Sequence, residues 1–144
     1  LPKLSINPKH DFIYTLNDTY EQYRNTYKVE DGKIAIYANP INTYSTYKGD
    51  YPDLYIYDIE KSTSKMISQS EVSKLSLEPG PSSPDGYNVG YSRSSYGLID
   101  LLGGGQSDSG FYIERDGARK KLSGLGTGQS SYYYSNIKVI GWVK

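Results

Sequence analysis

The sequence predicts an all-β domain of antiparallel sheets with one or two short helical turns, and three observations carry that prediction. Short runs of alternating β-branched and aromatic residues recur along the chain, each bounded by turn residues. Asp-Gly occurs three times, at 31–32, 85–86 and 116–117, which suits tight turns that need positive φ. Apolar or aromatic residues fall at helical spacing in only two short places.

Taken in order, the first strand is the stretch 11–16 around Phe12-Ile13-Tyr14. Tyr20, Tyr23 and Tyr27 then share one helical face behind the potential caps Asn17 and Asp18, which predicts a short helix. After Asp31-Gly32 comes Ile34-Ala35-Ile36-Tyr37. The strongest strand is Asp53-Leu54-Tyr55-Ile56-Tyr57-Asp58-Ile59, in which Leu54 and Ile56 fall on one face and Tyr55 and Tyr57 on the other. Ser70 to Leu75 has the length of one or two helical turns. Val89-Gly90-Tyr91, Phe111-Tyr112-Ile113 and the stretch 137–143, ending in Gly141-Trp142-Val143, complete the strands.

Composition limits what this domain does. Of 144 residues, 16 are Lys or Arg and 16 are Asp or Glu, so the net charge is zero; there is no Cys, one His, one Trp and 17 Tyr. Leu, Ile, Val and Phe make up about a fifth of the chain, just above the level at which chains fail to bury a core, so the core must recruit tyrosine. The absence of Cys excludes a disulfide framework, a thiolate nucleophile and Cys-containing zinc or iron–sulfur sites. A neutral balance spread over both halves argues against nucleic acid, which demands a basic stripe. No run of about 18 apolar residues exists, so a membrane is reached only through a segment absent from this chain. The sole methionine is Met66, and a chain beginning at Leu1 predicts a removed leader or anchor and hence an extracellular, cell-surface or periplasmic setting.

An internal repeat organises the single domain 1–144. Its first unit, about 30–68, runs from Asp31-Gly32 through Ile34 to Tyr37, a polar loop, Leu54-Tyr55-Ile56-Tyr57-Asp58-Ile59-Glu60 and Lys65-Met66-Ile67-Ser68. The second, about 83–123, runs from Ser83-Pro84-Asp85-Gly86 through Val89-Gly90-Tyr91, a Gly/Ser loop, Phe111 to Gly117 and Lys120-Lys121-Leu122-Ser123. This pattern resembles the repeat of TolB-type β-propellers, in which a Ser-Pro-Asp-Gly turn precedes an apolar strand and a Leu-Tyr-Ile-Tyr-Asp-Ile-like strand leads into a basic one. The turn and the Gly-Trp-Val ending are also similar to exported, N-terminally anchored β-rich bacterial proteins. The resemblance implies two propeller-blade-like units. Two blades do not close a ring of about four to eight, so the terminal strands, about 11–16 and 137–143, are expected to close the sheet edges within one chain or to pair with a neighbour.

Chemistry-bearing residues are sparse. His10 lies between Lys9 and Asp11 with no Gly-x-Ser-x-Gly pattern elsewhere, so a surface role is expected. Asp53, Asp58 and Glu60 are the carboxylates a hydrolase would use, with Asp58 and Glu60 about 7 Å apart on one strand face. Gly103 to Asp108 and Gly124 to Gln129 match calcium and nucleotide loops only in part, and read as connections. Asp50, Asp53 and Asp108 are the weak calcium candidates in a chain for which no metal and no cofactor is expected. Arg115, Arg119, Lys120 and Lys121 read as a solvated basic face. Asn17-Asp18-Thr19 is a formal glycosylation acceptor.

Tyrosine divides into two sets. Tyr37, Tyr55, Tyr57, Tyr91 and Tyr112 lie in the repeated strands, whereas Tyr44, Tyr47 and Tyr51, and Tyr132, Tyr133 and Tyr134, lie in polar segments and are the candidate binding residues, since Tyr offers a rigid amphipathic surface at low entropic cost. The expected function is therefore a non-catalytic exported binding or scaffold domain for protein or glycan. The alternatives are a self-assembling extracellular subunit using β-strand addition through sheet edges, and a carboxylate-dependent hydrolase.

Overall fold

The computed structural model describes residues 6–17, 22–40, 47–92, 110–125 and 136–144. Among them, in chain order, are β1 (Phe12–Asn17), β2 (Gln22–Tyr23), β3 (Asn25–Glu30), β4 (Lys33–Ala38), β5 (Tyr47–Gly49), β6 (Leu54–Asp58) and β7 (Thr63–Ile67). Then come the helix α1 (Gln69–Ser73), β8 (Leu77–Pro79), β9 (Asn88–Ser92), β10 (Gly110–Arg115), β11 (Ala118–Lys121) and β12 (Asn136–Val143). The domain is all-β, with antiparallel sheets and a single helical segment among the described residues.

The middle layer is a five-stranded sheet in the order β7-β6-β1-β12-β8, with every neighbouring pair antiparallel. It is covered on both faces because its strands carry apolar residues at both parities. Phe12, Tyr14, Tyr57 and Trp142 face one side and meet Tyr87, Ile113 and Leu122, which the three-stranded sheet β11-β10-β9 and its entry turn supply. Ile13, Leu54, Leu77 and Ile140 face the other and meet Tyr27 of β3 and Val72 of α1. Leu54 and Ile56 thus separate from Tyr55 and Tyr57 as the alternation predicts, but each set finds a core.

Tyrosine does serve as core. Tyr14, Tyr27, Tyr57, Tyr87 and Tyr112 are all buried. Burying a phenol is tolerable only if its hydroxyl finds a partner. Tyr14 Oη donates to Ser64 Oγ at 2.7 Å, Tyr57 Oη donates to the Ser123 carbonyl at 2.8 Å, and Tyr87 Oη accepts from the Asn7 amide at 2.9 Å. Phe12 links these rings, stacked on Tyr57 at 5.0 Å and tilted against Trp142 at 5.2 Å. Of the other repeat tyrosines, Tyr55 is half-buried, whereas Tyr37 and Tyr91 are exposed and do not serve a core.

The turns follow their chemistry. Asp31-Gly32 and Asp116-Gly117 both have two positive φ angles, 51° and 77°, and 52° and 82°, and each joins strands in the register of a two-residue hairpin. Ser83-Pro84-Asp85-Gly86 is closed by the Gly86 amide donating to the Ser83 carbonyl at 2.9 Å, with Ser83 Oγ accepting from the buried Tyr87 amide and donating to Asp85. Partial burial works to raise the Asp85 carboxyl, yet hydrogen bonds from Ser83, the Lys9 amide and its own amide, with the field of His10, outweigh it and hold it below its ordinary 3.8. A depressed carboxyl contributes stability above its unfolded value and loses it as pH falls through the folded value. Between about pH 5 and pH 2, Asp85→Asn is therefore expected to show a smaller fall in unfolding midpoint than the native chain, followed by circular dichroism; an identical fall would remove Asp85 from the acid response.

Of three sequence expectations, one is corrected, one holds and one is refined. Tyr23 and Tyr27 do not belong to a helix: Tyr23 ends β2, and Tyr27 lies in β3, which pairs residue for residue with β4 around the Asp31-Gly32 turn. A turn with two positive φ angles commits both flanks to a hairpin, and that outweighs the weak helical spacing of the tyrosines; Tyr20 lies outside the described residues. The second helical expectation holds, since α1 starts at the N-cap Ser68, whose Oγ accepts from the Glu71 amide at 3.1 Å. The terminal strands seal the edge of β6, but from the middle: β1 pairs with both β6 and β12.

The two repeat units also pair differently. The second forms the meander β9-β10-β11, while in the first β6 and β7 make the matching hairpin and β1 occupies the position beside β6 that β4 would fill. Among the described residues, β4 instead pairs with β3 alone.

Candidate functional site

A shallow cleft of about 390 Å³ opens between the segment entering β6 and the turn from β7 into α1. Its residues come from four places. Tyr27 projects inward from β3 and is only 2% exposed. Tyr51 and Asp53 flank Pro52 just before β6, and Met66 and Ile67 end β7. Ser68 and Gln69 begin the helical turn. Tyr51 lies over Tyr27, ring centroids 6.1 Å apart and planes 26° from parallel, and remains 43% exposed; Met66 is 62% exposed. Two of the five large exposed apolar side chains among the described residues therefore wall one cleft.

The polar groups have a defined arrangement. Gln69 Nε2 donates to Tyr27 Oη, so the phenolic hydrogen of Tyr27 is left to donate elsewhere. Burial pushes the Tyr27 phenol up; the Gln69 hydrogen bond opposes this, and nearby Tyr51 and Asp53 add to the rise. The phenol thus stays neutral and a donor at physiological pH. Asp53 is the single charged lining residue among the described residues, so the cleft offers an aromatic face, one carboxylate acceptor and neutral donors.

Of the tyrosines singled out from sequence, Tyr51 alone is placed here. Tyr47 is half-buried in β5, the parallel partner of β2, with the Arg24 guanidinium 5.6 Å from its ring centre. Tyr44, Tyr132, Tyr133 and Tyr134 lie outside the described residues, as do Asp108, the Gly103–Asp108 loop and most of the 124–129 loop. Asp50 Oδ1 accepts from Arg24 Nη1 at 2.8 Å in an exposed ion pair, and Asp53 lines the cleft. Among the described residues, no three His, Asp or Glu side chains converge to hold a metal.

Of the carboxylates named for hydrolysis, Asp53 lines a different cleft from Asp58 and Glu60. Asp53 precedes β6 and Asp58 ends it. Glu60 does not share a strand face with Asp58: it lies in the turn to β7, and its amide, like that of Lys61, donates to Asp58 Oδ1 at 3.0 and 2.9 Å respectively. Asp58 and Glu60 meet His10 in a larger cleft of about 720 Å³ beside the meander, with Asp11, Lys120 and Lys144. Asp11 Oδ1 accepts from the Ile59 amide at 2.9 Å, and His10 Nδ1 is 2.7 Å from the Val143 carbonyl, half-buried rather than on the open surface. These contacts hold turns and strand ends together. The basic cluster is likewise partly structural, with Arg115 over the Tyr87 ring at 4.4 Å and Arg119 over Tyr112 at 4.6 Å.

Sequence reasoning missed Tyr27, Met66 and Gln69 as neighbours of Tyr51. The alternation in Asn25 to Glu30 leading into Asp31-Gly32 was the available signal for Tyr27, since it turns that residue inward. Met66 and Gln69 carry no local signal; only the folding of β7 and α1 against β3 brings them in. Comparison with known protein families, with curated proteins and with solved structures finds no match to this chain.

Proposed function

We propose that this domain is a non-catalytic recognition module that holds a neutral glycan in the cleft of Tyr27 and Tyr51. The observation that carries the reading is the half-exposed Tyr51 ring, backed by Tyr27 and bordered by the Asp53 carboxylate, the Tyr27 hydroxyl and Gln69. A sugar ring presents an apolar C–H face and a rim of hydroxyls, which such a platform matches through stacking and paired hydrogen bonds. The single lining charge is acidic, which disfavours anionic sugars and leaves neutral ones. The cleft volume lies within the range of about 300–1,000 Å³ used for small ligands. The propeller-like repeat and the exported setting implied by the resemblance belong to the same proposal; the β9-β10-β11 meander is compatible with the repeat and does not bear on export.

Screening the native chain against immobilised neutral glycans, then titrating hits by calorimetry, tests the reading. Tyr51→Ala is expected to weaken binding about tenfold, near the upper end of an aromatic contact, while Tyr51→Phe keeps most of it and both retain the native circular dichroism. A chain that retains no neutral glycan, or a Tyr51→Ala variant that binds undiminished, would overturn the proposal; retention of a protein partner alone would replace it.

A further inference from the structure

The β3–β4 hairpin leaves one sheet edge open in a way that selects its occupant. β4 pairs with β3 and with no other strand among the described residues. In a two-residue hairpin the flanking pair Glu30 and Lys33 exchanges both backbone hydrogen bonds, so Lys33, Ala35 and Tyr37 turn their amides and carbonyls toward β3. Asn39, of the same parity, donates to the Arg24 carbonyl at 2.8 Å. The even-numbered residues therefore point outward. Gly32 is already engaged, its carbonyl accepting from Leu77 at 2.8 Å, which leaves the outward groups of Ile34, Ile36 and Ala38.

Compared with β7, β8, β9 and β11, the outer strands of the two larger sheets, β4 carries no charge, proline or glycine at its centre. β11 is guarded by Arg119, Lys120 and Lys121, β7 by Lys65, and β8 ends in Pro79. β9 is uncharged, but Ser82 bridges to Asn88 and Gly90 interrupts it. β4 reads Lys-Ile-Ala-Ile-Tyr-Ala, with Ile36 48% exposed.

We propose that β4 pairs antiparallel with β4 of a second copy of this chain, on a two-fold axis at Ile36. This register uses every open outward group: Ile36 meets Ile36 of the partner subunit, and Ile34 meets Ala38 of the partner subunit on either side of the axis. Between them Ala35 lies opposite Tyr37 of the partner subunit, so away from the axis each large side chain faces a small one. Charge is compatible as well: the pairing is confined to residues 34–38, since Leu77 holds the Gly32 carbonyl, and the two Lys33 residues stand about 20 Å apart, beyond the Debye length of about 8 Å. The pairing turns two hairpins, each only two strands wide, into one four-stranded sheet, the width at which a sheet gains independent stability. A one-residue shift would face outward groups with inward ones and lose every bond.

Because the chain has no Cys, one substitution reads out the register. Ile36→Cys places two sulfurs across a hydrogen-bonded pair with Cα atoms about 5.5 Å apart, inside the disulfide range. Under mild oxidation it is expected to form a covalent dimer at least tenfold faster than Lys33→Cys. Sedimentation of the native chain should show a concentration-dependent dimer. Ile36→Lys, a change at an exposed position that sets two like charges on the axis, should stay monomeric with native circular dichroism. A native chain monomeric at all concentrations, equal cross-linking at both positions, or a dimer that survives Ile36→Lys overturns the pairing.

Discussion

Trp142→Ala is expected to destabilise the domain by about 3–5 kcal/mol, the cost of removing a large aromatic from a packed core. Trp142 is fully buried in the interior strand β12, packs on Phe12, and belongs to the cluster of Tyr14, Tyr57, Tyr87, Ile113 and Leu122. That cluster joins the five-stranded sheet to the meander, so the void cannot be refilled by one mobile side chain. For a chain of this size the unfolding midpoint should fall by about 10 °C or more, measured by far-ultraviolet circular dichroism because the variant lacks the only tryptophan. Trp142→Phe should cost much less than its lost volume implies. The indole Nε1 is buried with no hydrogen-bond partner among the described residues, and a phenyl ring removes that desolvated donor. A Trp142→Ala variant within about 1 kcal/mol of the native chain would mean that the two sheets are not held by this core.

Gly124→Ala should be nearly as damaging, by about 3 kcal/mol, through a different mechanism. Gly124 follows β11 with φ at 73°, and a Cβ there would stand 2.3 Å from the backbone carbonyl oxygen of Ser62, in the turn between β6 and β7. Ser62 is itself held at a φ of 54°, so that turn has little freedom to retreat. Gly117→Ala is the internal control: its φ is 82°, but nothing lies within 4 Å of the added carbon. It should cost only the conformational penalty of about 1 kcal/mol. Urea denaturation of both variants separates the two contributions. Equal midpoints would show that β11 and the β6–β7 turn do not meet as closely as the geometry requires.

Strand positions were largely legible because period-two alternation is local. Phe12 to Tyr14, Leu54 to Tyr57 and Phe111 to Ile113 announce themselves through their own neighbours, and all three lie in strands. The Asp-Gly turns were legible for the same reason, since the demand for positive φ is met or failed within two residues. Tyr27 was misread because three tyrosines at helical spacing competed with a hairpin whose second strand begins only after the turn. Asp58 and Glu60 were placed on one face because the strand appeared to continue, whereas Asp58 ends it by capping the turn amides. At the cleft, Tyr51 was legible as a tyrosine in a polar segment, but Met66 and Gln69 were not, being ordinary residues made significant by position.

The sequence by itself determined the class of the domain, the position of its tight turns and the need for tyrosine in the core, because alternation, turn chemistry and a shortage of aliphatic residues are properties of the chain alone. Only the tertiary structure decided which strands are neighbours. β1 and β12 lie far apart in sequence yet pair at the centre of the sheet, and among the described residues β4 is left with an open edge while β1 takes the place beside β6. Hydrogen-bonding groups on a strand are the same whichever strand meets them, so partner choice is settled by which arrangement buries both apolar faces at once. That choice assembled Tyr27, Tyr51, Met66 and Gln69 into one cleft and set the free edge at Ile36.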